Sequence, residues 1–109
     1  MLDIKSVACH PGVTKSNLLN AGPQMAKSKP ALWLKLSYLP AQPAAMGALS
    51  VIYAAVGEDI NSGDYIGPSG FMESRGLPKK LQSSEESHNG EVAKWLWMVS
   101  EELTGVRFL

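Results

Sequence analysis

Apolar positions are scattered through Leu2, Ile4, Val7, Ala8 and Cys9, then stop at His10-Pro11-Gly12, a pattern that predicts a strand running into a turn. Lys15-Ser16-Asn17-Leu18-Leu19 opens a helix with Thr14 or Ser16 as its cap, and Gly22-Pro23 interrupts it. Pro30 starts a second helical stretch, Ala31 to Leu39, which Pro40 ends. Its Leu32, Trp33, Leu36 and Leu39 recur at helical spacing, as a core-facing stripe or as a lid over a ligand. Ala41 to Val56 is the clearest helix. Pro43 suits its first turn, and its residues are apolar almost all round, which predicts burial on more than one side. Gly57 stops it, and Glu58 to Gly63 is a polar loop. Asp64 to Gly67 reads as a short strand ended by Pro68, and Phe71 to Ser83 as irregular. A last helix runs from about Ser84 to Leu103, with Ser84 or Ser87 as cap. Val92, Leu96, Val99 and Leu103 form its stripe, Trp95 and Met98 widen it, and Gly105 ends it.

The order of strand, helices, strand and terminal helix predicts an α/β fold with a parallel pair of strands. With 109 residues there is room for one small domain. Ten basic and ten acidic residues cancel, which removes any net field toward nucleic acid or an anionic membrane. The first 56 residues carry five basic and one acidic residue and the rest five and nine, so the halves differ in sign. The longest nearly apolar run, Pro43 to Val56, falls short of the roughly 20 residues that span a bilayer. The single cysteine, Cys9, excludes an internal disulfide framework and fits a reducing, cytoplasmic setting.

Few residues suggest chemistry. Gly63, Gly67 and Gly70 flank a strand instead of opening a helix, so they read as turn glycines, not a phosphate loop. Cys9-His10 are strand neighbours that point apart, and no second cysteine supplies a zinc spacing. The paired carboxylates Glu58-Asp59, Glu85-Glu86 and Glu101-Glu102 read as solvated faces, and His88 as exposed. No metal site and no catalytic residue is predicted. What remains is Val7 to Leu18, where a strand breaks at Pro11-Gly12 and leaves N–H groups and a hydroxyl at its carboxyl end. In open α/β sheets that is where ligands bind.

These residues resemble the C-terminal part of a short-chain dehydrogenase/reductase of the retinol-dehydrogenase-like subgroup. The likeness rests on His10-Pro11-Gly12-x-x-x-Ser16-x-Leu18, the apolar helix Pro43 to Val56, and Ser62-Gly63-Asp64-Tyr65-Ile66-Gly67-Pro68. A fourth match is Ser83-Ser84 with Ala93-Lys94-x-Leu96-Trp97-x-Val99-Ser100-Glu101-x-Leu103-Thr104-Gly105. The resemblance covers essentially the whole chain. It implies a fragment of a Rossmann-type, doubly wound parallel sheet, with two parallel strands and two to four helices. It divides residues 1–109 into a substrate loop 17–40, an interface helix 43–56 and a C-terminal extension 71–109. It implies NAD or NADP as cofactor, with Pro11, Gly12 and the backbone of Val13 beside the nicotinamide. Ser16 stands where the family has threonine, keeping the hydroxyl and losing a methyl. Leu18, Leu19, Met25 and Trp33 become candidates to line an apolar substrate pocket. The resemblance also implies a homo-oligomer joined through Pro43–Val56 and Asp64–Gly67, or association with a missing N-terminal half.

The departures are as informative. The family's glycine-rich loop and its Tyr-x-x-x-Lys are absent: Tyr38 is followed four residues on by Gln42, Tyr53 by Gly57 and Tyr65 by Ser69. Without that tyrosine no acid protonates the carbonyl oxygen, and without that lysine its pKa is not lowered. The expectation is therefore a portion of an oxidoreductase that is inactive alone. The alternative is a non-catalytic, self-associating module derived from a truncated dehydrogenase gene.

Overall fold

A computed structural model of the chain describes residues 4–28, 32, 36 and 39–107. The apolar run ahead of His10 becomes strand over two residues only, Ala8–Cys9 (β1). The residues before it are tied to a loop instead. Lys5 Nζ donates to the Ile60 carbonyl at 2.7 Å, and Gly63 N–H donates to the Ser6 carbonyl at 2.8 Å. Three helices follow in the described residues: Leu18–Met25 (α1), Ala44–Val56 (α2) and Gly90–Thr104 (α3). The other strands are Tyr65–Pro68 (β2) and Pro78–Leu81 (β3).

The fold is α/β. β2 is central, pairing parallel with β1 (Ala8 opposite Tyr65) and antiparallel with β3 (Tyr65 opposite Leu81, Pro68 opposite Pro78). The parallel pair matches the expectation, but the sheet is three-stranded and mixed. β3 falls in the stretch read as irregular. Four residues beginning with proline and carrying two adjacent lysines show no strong alternation. Proline is tolerated there because it stands first in an edge strand.

Small residues bring α2 onto the sheet. Gly47 and Ser50 are its buried positions, while Val51, Ile52 and Val56 are exposed. The expectation of burial on more than one side is thus corrected. A helix apolar all round does not select its inner face by hydrophobicity. Here close approach selects it: a Cβ at Gly47 would lie 2.5 Å from Thr14 Oγ1 and 3.2 Å from Pro11 Cβ. The buried apolar centre is correspondingly small, with Ile66, Ile60 and Ala41.

Other boundaries also move. α1 runs through Gly22-Pro23 instead of breaking there, with Pro23 in its final turn. The preceding glycine has no Cβ to clash with the proline ring. Asn17, not Thr14 or Ser16, occupies the N-cap position of α1. The last helix begins at Gly90, not Ser84, because Glu85–His88 forms a separate 3-10 turn. Asn89 is its cap, accepting from the N–H groups of Glu91 at 3.0 Å and Val92 at 3.2 Å. Gly57 and Gly105 end α2 and α3 as predicted, Gly105 with φ of 70°. The helix predicted over Ala31 to Leu39 lies largely outside the described residues. Of its stripe, Leu32, Leu36 and Leu39 are exposed.

Candidate functional site

The residues after β1 form a turn locked by two distant segments. His10 N–H donates to the Ile66 carbonyl at 2.9 Å, keeping the ladder to β2 for one more residue. Gly12 then turns with φ of 68°, and a Cβ there would lie 2.5 Å from the Ser74 carbonyl oxygen. Glycine is needed both for the left-handed conformation and for this approach. Val13 N–H donates to the Ser74 carbonyl at 2.7 Å.

Gln42 is the second lock. It is only 2% exposed, and all four of its polar groups are used. Its backbone N–H donates to the Val13 carbonyl and its carbonyl accepts from Lys15 N–H, both at 2.9 Å. Side-chain Nε2 donates to the Pro11 carbonyl and Oε1 accepts from Gly76 N–H, again at 2.9 Å. Pro43 follows it, and a residue before proline is held extended, which suits the parallel bridge between Thr14 and Gln42. Thr14 adds a hydroxyl bond to the Pro11 carbonyl at 2.9 Å.

His10 closes the other side of the turn. Its Nδ1 accepts from Gly12 N–H at 3.2 Å, so Nε2 carries the proton of the neutral ring. That Nε2 is shut off from solvent and lies 3.2 Å from Glu73 Oε2, out of hydrogen-bond alignment. The ring stacks on Tyr65 with centroids 5.5 Å apart. Met72 and Glu73, with φ of 49° and 54°, bring the carboxylate over the ring through left-handed backbone that side chains rarely adopt.

The sequence-predicted residues divide. Pro11, Gly12 and Val13 form one turn at the carboxyl end of β1, but both backbone groups of Val13 are engaged within the chain. Ser16 is exposed, and its Oγ accepts from Leu18 N–H at 3.3 Å. Leu18 and Met25 are 75% and 87% exposed on α1, so the described residues do not gather them into a pocket. Leu19 lies in α1, and Trp33 lies outside the described residues. The sequence reading missed Gln42, Glu73, Ser74 and Gly76. Only Gln42 carried a signal, a polar residue pressed between Ala41 and Pro43.

A second polar cluster fastens α2 to β3. Tyr53 Oη donates to both Asp59 carboxylate oxygens at 3.0 and 2.9 Å, and Lys80 Nζ meets Asp64 Oδ2 at 2.9 Å. The bond to Asp59 raises the Tyr53 pKa above 10.0. The Asn61 N–H, then Lys80, hold Asp64 below 3.8, and Asp64 in turn raises Lys80 above 10.5. Among the described residues no group of His, Cys, Asp or Glu is arranged to hold a metal ion. No helix among them is long and apolar enough to cross a membrane. No protein-family model, curated protein or solved structure matches the chain.

Proposed function

We propose that the chain is the C-terminal portion of an NAD(P)-dependent short-chain oxidoreductase acting by hydride transfer on an alcohol or carbonyl substrate, and that it is inactive alone. The observation that carries this reading is the His10–Gly12 turn at the carboxyl end of β1, beside the parallel strand β2. Ligands bind at such ends in open α/β sheets. β1 and β2 are then two strands of a doubly wound parallel sheet.

The backbone of Val13 does not fit a nicotinamide carboxamide in this arrangement, because Ser74 and Gln42 occupy both of its polar groups. No step is therefore routed through the cofactor. Pro11, Gly12 and Ser16 keep the roles that the resemblance implies only once Ser74 releases Val13. The exposed side chains of Leu18 and Met25 would line a substrate pocket, with Leu19 and Trp33, only under a further covering segment. Self-association through Pro43–Val56 and Asp64–Gly67 belongs to the same reading. The exposed Val51, Ile52 and Val56 support the helical part, whereas β2 lies between two strands and supports it from behind. The free, exposed thiol of Cys9 suits a cytoplasmic setting.

A second reading, a non-catalytic self-associating module, is favoured by the engaged Val13 backbone and the exposed face of α2. Calorimetry with NADH and NADPH, and turnover on a panel of aldehydes and ketones, test inactivity. No turnover and affinity no better than about millimolar are expected, and low-micromolar binding overturns it. Coding DNA upstream of Met1 separates the readings. An in-frame glycine-rich loop and Tyr-x-x-x-Lys support the oxidoreductase, and a frame without them supports the module.

A further inference from the structure

The loop joining β2 to β3 is pinned at its neck and nearly free at its tip. Ser69 N–H donates to the Leu77 carbonyl at 2.8 Å and Gly70 N–H to the Arg75 carbonyl at 2.9 Å, which closes the neck. Gly76 N–H, donating to Gln42 Oε1, fixes that neck to the body. The tip, residues 71–74, is bonded to itself. Glu73 N–H donates to the Gly70 carbonyl, and both the N–H and the hydroxyl of Ser74 donate to the Phe71 carbonyl. Phe71 and Met72 are 82% and 81% exposed, so neither anchors the tip. Among the described residues, one hydrogen bond ties the tip to the body, from Val13 N–H to the Ser74 carbonyl.

The closed position has costs. Met72 and Glu73 hold left-handed backbone, with φ of 49° and 54°, to aim Glu73 and Ser74 at the turn. His10 Nε2, which bears the proton of the neutral ring, is shut off from solvent with no acceptor in line. A buried donor without a partner is destabilising. Two strained residues and an unbonded N–H thus oppose one hydrogen bond, the close approach of Ser74 to Gly12 and the Glu73 carboxylate near the ring.

We propose that residues 71–74 are a lid over the turn at the carboxyl end of β1, closed in this structure, which opens about Gly70 and Gly76 while the turn itself stays folded. Opening relieves the left-handed pair and bares His10 Nε2–H together with Val13 N–H. Two such donors suit an acceptor oxygen, as in a carboxamide or a carboxylate. The closed lid supplies that chemistry from within the chain, a carbonyl on Val13 and a carboxylate beside His10, and so competes with any ligand for the same donors. What enters rests on the oxidoreductase reading above, whereas the motion does not. The turn survives opening because its other bonds bypass the lid. Gln42 N–H holds the Val13 carbonyl, Gln42 Nε2 holds the Pro11 carbonyl and His10 N–H holds the Ile66 carbonyl.

Amide hydrogen exchange of the full chain, read residue by residue by NMR, tests the proposal. Val13 N–H is covered by the lid, while Gln42 N–H bonds to the carbonyl of that same Val13, so the pair separates lid opening from loss of the turn. Protection of Val13 at least about tenfold below that of Gln42 and His10 is expected. Met72→Gly, which relieves the left-handed backbone, should slow Val13 exchange about fivefold. Met72→Ile, β-branched at that position, should quicken it by a similar factor, and both should leave Gln42 and His10 unchanged. The Met72 side chain is exposed, so neither substitution removes packing. Equal protection of Val13 and Gln42 overturns the proposal, since the turn then opens only as a whole. A Val13 rate indifferent to both Met72 variants overturns it as well. Neither rate depends on NAD(P), so a failed lid leaves the oxidoreductase reading standing, and a failed reading leaves the lid.

Discussion

Between Pro11 and Lys15 most hydrogen bonds reach residues about thirty or sixty positions away, at Gln42 and Ser74, whereas the side-chain bonds of α3 stay within four positions. The turn has almost no regular structure, yet its backbone polar groups are paired within the chain. The helix is regular and well capped, yet its apolar face is wet. Regularity and packing are thus separate properties in this chain. The turn exists only when distant segments assemble, so it carries the cooperativity of the fold. The helix is specified locally and leaves its packing to something else.

The largest expected effect comes from breaking the turn. Gln42→Ala leaves the half-buried Gly76 N–H without an acceptor, removes a donor to Pro11 and empties the buried space of the Gln42 side chain. It should lower stability by about 2–3 kcal/mol in urea unfolding, a large share for so small a domain. A variant of unchanged midpoint would mean that Ser74 and Thr14 hold the turn without it. Next is Gly67→Ala on β2, where the new methyl would collide with the His10 imidazole and the Leu81 side chain. Overpacking of this kind costs about 1–3 kcal/mol and should appear in the same measurement.

A smaller change sharpens the contrast from the other side. Asn89→Ala removes the cap of α3 and should cost that helix about 1 kcal/mol. Far-ultraviolet circular dichroism should lose helical signal, and amide exchange should quicken in residues 90–104. Protection at β2 should not change, and a uniform loss would join the two regions into one unit. The smallest effect is the acid response of the clip at Asp64. Its carboxyl is held below 3.8 by the Asn61 N–H and then by Lys80, so the clip contributes fully above that value. The contribution is lost as pH falls through the lowered pKa. Asp64→Asn should remove that part of the acid dependence in a pH series of melts, and added salt should shrink it because the pair is exposed.

What was legible in the sequence follows the same division. α2, its stop at Gly57, the parallel partner strand ahead of Pro68 and the stop of α3 at Gly105 all rest on local chemistry. The start of α3 was not legible: the expected caps were Ser84 or Ser87, whereas Asn89 caps the helix because Glu85–His88 turns separately ahead of it. β3 was hidden because its pairing with β2 is a long-range fact written in four residues. The inner face of α2 was hidden because Gly47 and Ser50 are chosen by the shape of Pro11 and Thr14, not by hydrophobicity. Pro11, Gly12 and Val13 were identified as a turn. Of the partners that fix it, Ser74 and Gly76 have no local signature, and Gln42 has only its place between Ala41 and Pro43, which is weak because a glutamine in an extended segment is usually solvated.

Two of the three tryptophans, Trp95 and Trp97, ride on α3, and both are exposed in the single chain. Intrinsic fluorescence is therefore dominated by the helix instead of the sheet. In a lone chain their emission is already that of solvated indole, so melting the sheet changes it little. The tyrosines Tyr53 and Tyr65 belong to the body, and their absorbance follows it. An unfolding curve recorded by emission and one recorded by tyrosine absorbance will not superimpose. Read with a two-state equation, they return different enthalpies for the same polypeptide.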